Sequence, residues 1–384
     1  MSNTLSNILP KILARGLLAL REQAIMPRLV NGDYSAEAAQ KGDTIDVPIP
    51  SAIAASDVTP SPTFSSATDS APTKVQIQLN NWKKTNFSLS DKEMAEIDRN
   101  AHFMPMQMSE AVRALANVIN EDIHAEYKGV YGFTGTAGTS PFASTVTDAV
   151  NSRKVLHQQR APRSMRRGVL DYDGEANALA LAAFSDADKV GSAEVKIEGE
   201  VGRKFGVDWF ADDAVATHTA GTIAALAPAV GSTTAIGGTT LKMALVSTGS
   251  GNTAIGDIFT IAGDSQTYVV GDVVSAITSA APKDVSIQPA LKVVASAGSL
   301  ITFKASHVAN LVFHRDAFAF ANRPLAASSA DLQLGSRIMS MTDPQTGITL
   351  RLEVSRQYKQ VTWEFDVLWG AKLVRPELAC RLAG

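Results

Sequence analysis

The chain has a single cysteine, Cys380, among 384 residues. An internal disulfide is therefore impossible, and no CxxC pattern exists to hold a structural zinc. Long apolar runs are missing too. The nearest approach, residues 8–20 (ILPKILARGLLAL), is interrupted by Lys11 and Arg15 and is too short to span a bilayer. No signal peptide is legible. An excess of one charge is also lacking: 35 Lys and Arg against 38 Asp and Glu leave −3. Without a strong basic field, reading or coating nucleic acid is not the expected main activity. The motifs of common catalytic chemistry are absent as well. The six histidines (102, 124, 157, 218, 307 and 314) form no HExxH or other close ligand pair. There is no GxSxG, and Cys380 has no histidine near it in sequence.

Several stretches imitate sites and fail on inspection. Asp186-Ala-Asp188-Lys-Val-Gly191 opens like a calcium loop, but Val190 and Ile197 stand where ligands belong. A helix N-terminus capped by Ser185 or Asp186 is the better reading. Gly249-Ser-Gly251-Asn-Thr-Ala-Ile-Gly256 lacks both the GK[ST] ending and the GxGxxG spacing, and reads as a hairpin turn. The glycines at 129, 132, 135 and 138 fail the same test. Asp171 and Asp173 read as a strand-end turn rather than a catalytic carboxylate pair. Arg160, Arg163, Arg166 and Arg167 form a local basic cluster that suits phosphate, a subunit contact or a solvated face equally. The expectation is a non-enzyme with no catalytic, cofactor-binding or metal residues and no cofactor.

What is present is length, enough for two or three domains, and 45% apolar residues arranged in patterns. The organising element is a helix over about 105–128, with Ser109 as expected N-cap and Glu110 in its first turn. Val112, Leu115, Ala116, Ile119, Ile123 and Tyr127 recur at spacings of three and four, one apolar stripe. Arg113, Asn117, Asn120, Asp122 and Glu126 lie off it. The stripe is expected to pack on terminal strands around Trp363, Phe365 and Leu368, leaving the polar residues off that contact. The glycines from Gly129 to Gly138 are expected to end the helix and to serve as a pivot.

Before this spine, Leu9, Ile12, Leu13, Leu17, Leu18 and Leu20 give an amphipathic helical face that expects to dock on another subunit. Residues 44–50 (TIDVPIP) and 74–79 (KVQIQL) alternate apolar and polar positions around a polar, proline-bearing tip, as two arms of a long hairpin. Such a ribbon is marginal alone and expects support from a neighbouring molecule. A first short helix is expected from Asp91, ahead of Pro105. After the spine, residues 148–220 read as α/β. Residues 221–304 lose charge and helix patterns and gain short strands at 240–246, 257–261, 267–270 with 273–274, 285–287, 291–294 and 300–303. These imply a small β-barrel or sandwich inserted into the α/β region. The strand 309–314 and a helix from Arg315 resume that region, and strands at 348–354 and 361–368 close the chain.

Four stretches, in order, carry a family resemblance. They are GVDWFADDAVATHT (206–219), IGDIFTIAG (255–263), NLVFHRDAF (310–318) with Pro324-Leu325, and DVLWGAKLVRPE (366–377). With the arm, loop and spine before them, the chain resembles tailed-phage major capsid (coat) proteins of the Hong Kong 97 fold, within them the P-22-type coat family with an inserted β domain. The resemblance implies an α+β fold with an N-terminal arm (1–41) and an extended loop (42–90). It implies a peripheral domain with the spine (91–147 and 347–384), an axial domain (148–220 and 305–346) and an inserted β-barrel (221–304). It implies a virion protein, assembled in the bacterial cytoplasm into pentamers and hexamers of an icosahedral shell that matures from a procapsid. Scaffolding protein, a portal at one vertex and non-specifically contacted double-stranded DNA are the implied partners, with no membrane. No lysine–asparagine cross-link is expected, although Lys83 and Lys84 lie on the predicted loop, and Ala281-Pro-Lys-Asp284 is the candidate intersubunit loop of the insertion. The alternatives are an encapsulin-like nanocompartment shell, an enzyme whose β domain binds a ligand, and a secreted β-rich adhesin.

Overall fold

The computed structural model describes residues 13–14, 16–18, 20, 24–33, 41–49, 55, 57–58, 60, 72–93, 106–186, 199, 201–325, 336–343 and 346–384. Its architecture is mixed α+β, with one long helix set among several sheets.

The hairpin arms form β1 (Thr44–Ile49) and β2 (Thr73–Gln78), antiparallel, with Thr44 opposite Gln78 and Ile49 opposite Thr73. β3 (Asn81–Ser90) follows at once but leaves the hairpin. It runs antiparallel along the 14-residue β19 (Gln360–Leu373), from Asn81 opposite Trp369 to Ser90 opposite Gln360. The expected loop of 42–90 therefore divides near residues 79–80 into a ribbon and a sheet strand. β19 is also flanked by β16 (Phe318–Asn322) and β18 (Thr349–Gln357), and β17 (Ser336–Thr342) adds to β18.

Side chains alternate across a strand, so β19 serves two cores. Val361, Trp363, Phe365, Val367 and Trp369 point to the face shared with the spine, α2 (Met106–Ala125). Leu368, expected beside Trp363 and Phe365, lies on the other face with Ile45, Ile77, Leu79, Ala319 and Ala321 under the hairpin. An even position cannot join an odd row in a period of two. Gly370 lies where the hairpin crosses this face. A Cβ there would collide with the Gln78 carbonyl oxygen. Gly370→Ala is therefore expected to lift the hairpin, costing about 1–3 kcal/mol of its docking. Limited proteolysis should then cut residues 50–72 roughly tenfold faster or more.

The spine differs from expectation in three ways. It begins at Met106, so Ser109 lies within its first turn rather than at the cap. It ends in a 3-10 turn, Glu126–Gly129, and the glycine stretch then forms β4 (Gly132–Gly135), tied into a sheet rather than left as a linker. Its polar residues do not all stay off the packed contacts. Asn120 is buried and accepts from the Met26 amide at 3.3 Å in a short helix α1 (Met26–Leu29). Asp122 accepts from Trp369 Nε1 at 2.9 Å and Asn81 Nδ2 at 2.7 Å, and Glu126 from the Leu373 amide at 3.0 Å. Only a narrow stripe, including Glu110, Arg113 and Glu121, is exposed. The N-terminal apolar face is a further correction. Leu13, Leu17 and Leu20 are buried in this chain's own core, with Gly16 against Met108, Val112 and Leu350. Leu18, of the same face, is 52% exposed. Of the short helix expected from Asp91, residues 91–93 are helical and the rest lies outside the described residues.

The α/β region is built on a seven-stranded sheet: β4, β20 (Ala379–Ala383), β15 (His307–His314), β5 (Arg166–Leu170), β7 (Val207–Ala211) and β6 (Gly202–Lys204), with β8 (Thr217–His218) also on β15. β5 and β7 are parallel. Helices α3 (Thr147–Gln158), α4 (Tyr172–Ala180) and α5 (Ala182–Ser185) accompany it. The two large sheets exchange strands: β20, near the C-terminus, joins this one, whereas β16 and β17 join the sheet of β19. The helix expected from Arg315 is a three-residue 3-10 turn followed by β16. The His314 side chain accepts from the Asp316 amide and turns the chain, and FAFAN then pairs with β19.

Between β8 and β15 lies a six-stranded sheet with its own buried core. Its order is β14 (Ile301–Phe303), β11 (Ile258–Ile261), β12 (Tyr268–Val270), β13 (Lys283–Gln288), β10 (Thr240–Leu245) and β9 (Pro228–Val230). The two ends meet at a bridge between Ala229 and Leu300. Residues 273–274 and 291–294 carry no strand, and β9 was not anticipated. Residues 249–256 link β10 to β11, which are not neighbours, so this stretch is a crossing connection and not a hairpin turn.

Candidate functional site

Burying charge is costly unless it is paired, so fully buried charged groups mark places the fold must hold together. One such node lies where the spine, the α/β sheet and the six-stranded unit meet. Tyr127 ends the spine, His218 lies on β8, His307 on β15, Arg381 on β20, and Asp257 just precedes β11. Asp257 is completely buried. Its carboxylate accepts from the Ala254 amide at 2.8 Å, the Gly221 amide at 3.2 Å and His218 Nε2 at 3.0 Å. With Nε2 donating, His218 Nδ1 accepts the Tyr127 hydroxyl at 3.3 Å.

Arg381 completes the junction. It is completely buried, and burial pulls its pKa down to about 9. Nη1 donates to the Gly256 carbonyl at 2.8 Å and Nη2 to the Lys128 carbonyl at 3.1 Å, joining the six-stranded unit to the spine's end. The guanidinium sits 5.0 Å from the Tyr127 ring centroid. Gly256, at φ +93°, permits the approach, since a Cβ would lie 3.2 Å from the Lys128 backbone. His124 Nε2 donates to the Ala309 carbonyl at 3.1 Å and His307 Nδ1 to the Ala305 carbonyl at 2.8 Å. Burial brings both imidazoles down to about 4, and the positive charge of Arg381 adds to it.

The sequence hydroxyl–imidazole–carboxylate is that of a catalytic triad. Its environment is not. Tyr127 is 4% exposed, and burial raises its pKa, the reverse of an activated nucleophile. A cleft of about 340 Å³ beside the node is lined by Glu126, Lys128, Ile255, Val270, Lys372 and Pro376, none of them a node residue. Chemically, the node can hold three elements in register. Among the described residues no group of three His, Cys, Asp or Glu is arranged to hold a metal ion.

The residues weighed from sequence fall elsewhere. Cys380 is buried, its thiol pushed up by burial and therefore inert. Asp171 caps α4, accepting from the Gly174 amide at 3.3 Å, and Asp173 lies in that helix's first turn. Asp186 follows α5, and the helix it was expected to open, with Asp188 to Ile197, lies outside the described residues. The arginine cluster divides. Arg166 donates to the Ala161 and Pro162 carbonyls and Arg167 to the Arg28 carbonyl, whereas Arg160 and Arg163 are exposed. Lys84 pairs with Glu364 at 2.9 Å. Lys283 and Asp284 belong to β13, so 281–284 is not wholly a loop. His102 lies outside the described residues, and His157 is on α3 near Arg153. The node was not visible in the sequence because its members come from five separate stretches.

No family model matches the chain, and no curated protein matches it. Solved structures do resemble it. A chain from Mycobacterium phage Che8 is 13% identical, with 94% of this chain and 91% of that one covered at a TM-score of 0.49. The capsid structure of the cyanophage P-SCSP1u is also 13% identical, covering 94% and 88% at 0.49. A virus-like particle from Pyrococcus furiosus is 8% identical, covering 97% and 98% at 0.44. None of these reaches a TM-score of 0.5, and what this chain does is argued from its own residues.

Proposed function

We propose that the chain is a structural coat subunit. Many copies close into the icosahedral shell enclosing the double-stranded DNA genome of a tailed bacteriophage, in a Hong Kong 97-type arrangement. The observation that carries the reading is the hairpin. Among the described residues β1 and β2 pair only with each other; Ile45 and Ile77 are buried on this chain's own sheet, whereas Val47, Ile49 and Val75 are only half-buried. The two strands lead into a tip whose described residues are all exposed, Val58 at 93%. A two-stranded ribbon gains too little on its own to offset the entropy of ordering it. Its own sheet covers part of one face, and lying across a neighbouring copy would cover the rest; obligate interfaces of this kind bury on the order of 2,000 Å² or more.

Other features support the same reading. The spine and the sheet of β19 make the peripheral domain, the sheet of β5 and β15 the axial domain, and the six-stranded unit the inserted barrel. Scaffolding protein, a portal and packaged DNA are the partners proposed, in a virion assembled in the host cytoplasm. The buried node is the joint between insertion and shell wall. Electron microscopy of the expressed protein, alone and with a co-expressed scaffold, tests the assignment. Closed particles of uniform diameter are expected under one of the two conditions. Small monomers under both would sink it.

A further inference from the structure

Helix α3 and the loop after it carry positive charge with no negative partner. Arg153, Lys154, Arg160 and Arg163 are exposed, and none forms an ion pair among the described residues. The charges felt by His157 are Arg166, Arg163 and Arg153, all positive. Arg153 Nη1 donates to the Phe205 carbonyl at 3.1 Å, which fixes this pole at the entry to β5 and β7.

The opposite end of the same strands is acidic. β5 and β7, each five residues or about 16 Å long, run parallel over four paired positions. Asp171, Asp173 and Glu175 follow β5, and Asp212 and Asp213 follow β7. They surround Tyr172, which is 59% exposed. Asp212 is 1% exposed; its Oδ1 accepts from the Ala214 amide at 2.9 Å, and its carboxyl lies against Asp213. Burial pushes its carboxyl up to about 7. The exposed members, Asp173 and Asp213, present negative charge beside Tyr172, to which a cationic side chain is complementary.

We propose that these two poles are the halves of one contact between copies of this chain: the Arg153–Arg163 pole of one copy seats on the Tyr172–Asp213 pole of the next, head to tail around a ring. The proposal rests on the shell reading above. A contact that joins different patches of identical subunits closes into rings, as pentamers and hexamers require. Arginine and tyrosine are enriched at interface cores, and a guanidinium both stacks on an aromatic face and matches carboxylates. DNA on the basic pole would leave the acidic pole without a role.

The test is a charge exchange in the full-length chain, avoiding Asp171 because it caps α4. Lys154→Glu with Arg163→Glu reverses one pole, and Asp173→Lys with Asp213→Lys reverses the other. Each pair alone should lower the assembled fraction at least tenfold by light scattering, with melting near that of wild type. All four together should restore assembly to within about twofold, because reversed poles again match. Single-pole variants that assemble like wild type overturn the proposal. So does a four-fold variant that melts normally but stays unassembled. A basic-pole variant that builds normal shells but retains less DNA assigns that pole to nucleic acid and overturns it as well. Wild type that assembles under no condition removes the shell reading itself, a different failure.

Discussion

Asp257→Ala is expected to destabilise the chain by about 3–5 kcal/mol, the cost of leaving a buried charge network with one partner removed. The residue carries four acceptor contacts at the junction. Its removal strands the Gly221 and Ala254 amides and the Nε2–H of His218, all inside the protein. It also leaves the buried Arg381 guanidinium without its nearby negative charge. The apolar cores on either side are untouched, because Asp257 belongs to neither. Denaturant unfolding should show a lowered midpoint with an early phase reporting on the six-stranded unit. Asp257→Asn keeps an acceptor and should cost less. A loss below about 1 kcal/mol, the size of an ordinary hydrogen bond, would mean that the node does not hold the joint.

Acid is expected to weaken the chain through two histidines. His124 and His307 have folded-state pKa values near 4 against an ordinary 6.5. Between pH 6.5 and 4 the unfolded chain therefore binds more protons, and stability falls as pH falls. From pH 7.5 to 4.5 the two together lose about 5 kcal/mol at 1.36 kcal/mol per pKa unit. Asp212 works the other way. Its folded carboxyl, near 7, takes up a proton that the unfolded chain does not bind until about 3.8, returning about 3 kcal/mol over the same range. These three groups leave a net fall of about 2 kcal/mol. In His124→Gln with His307→Asn, amide nitrogens replace the imidazole donors to Ala309 and Ala305 without titrating. The difference between wild type and variant isolates the histidines. The variant should lose about 5 kcal/mol less on acidification, measured by urea unfolding at both pH values. Parallel slopes for the two proteins would refute the assignment.

The elements most legible in the sequence were those with long, undisturbed periods. The spine's stripe of Val112, Leu115, Ile119 and Ile123 and the alternation in β1, β2, β18 and β19 needed no tertiary information. Failures arose where tertiary contacts overrode local pattern. Phe318-Ala-Phe-Ala-Asn322 followed a turn that read as a helix start, but pairing with β19 made it a strand. Leu368 was placed by proximity in sequence to Phe365, whereas the pleat sends it to the opposite face. Asn120 and Asp122 read only as positions off the stripe because polarity alone cannot reveal a partner 94 or 247 residues away. The node and the two charged poles were illegible for the same reason. Arg160 and Arg163 were noticed as a cluster, but only the parallel pairing of β5 with β7 shows that their charge opposes Asp171, Asp173 and Asp213 across one sheet.

The most direct measurement is a cryo-electron microscopy reconstruction of particles formed by the full-length chain. A closed icosahedral shell is predicted, with the β1–β2 hairpin of each subunit lying on its neighbour and the six-stranded unit fixed to the wall at Arg381. Particles that lack icosahedral order, or a shell in which the hairpin touches only its own subunit, would contradict it.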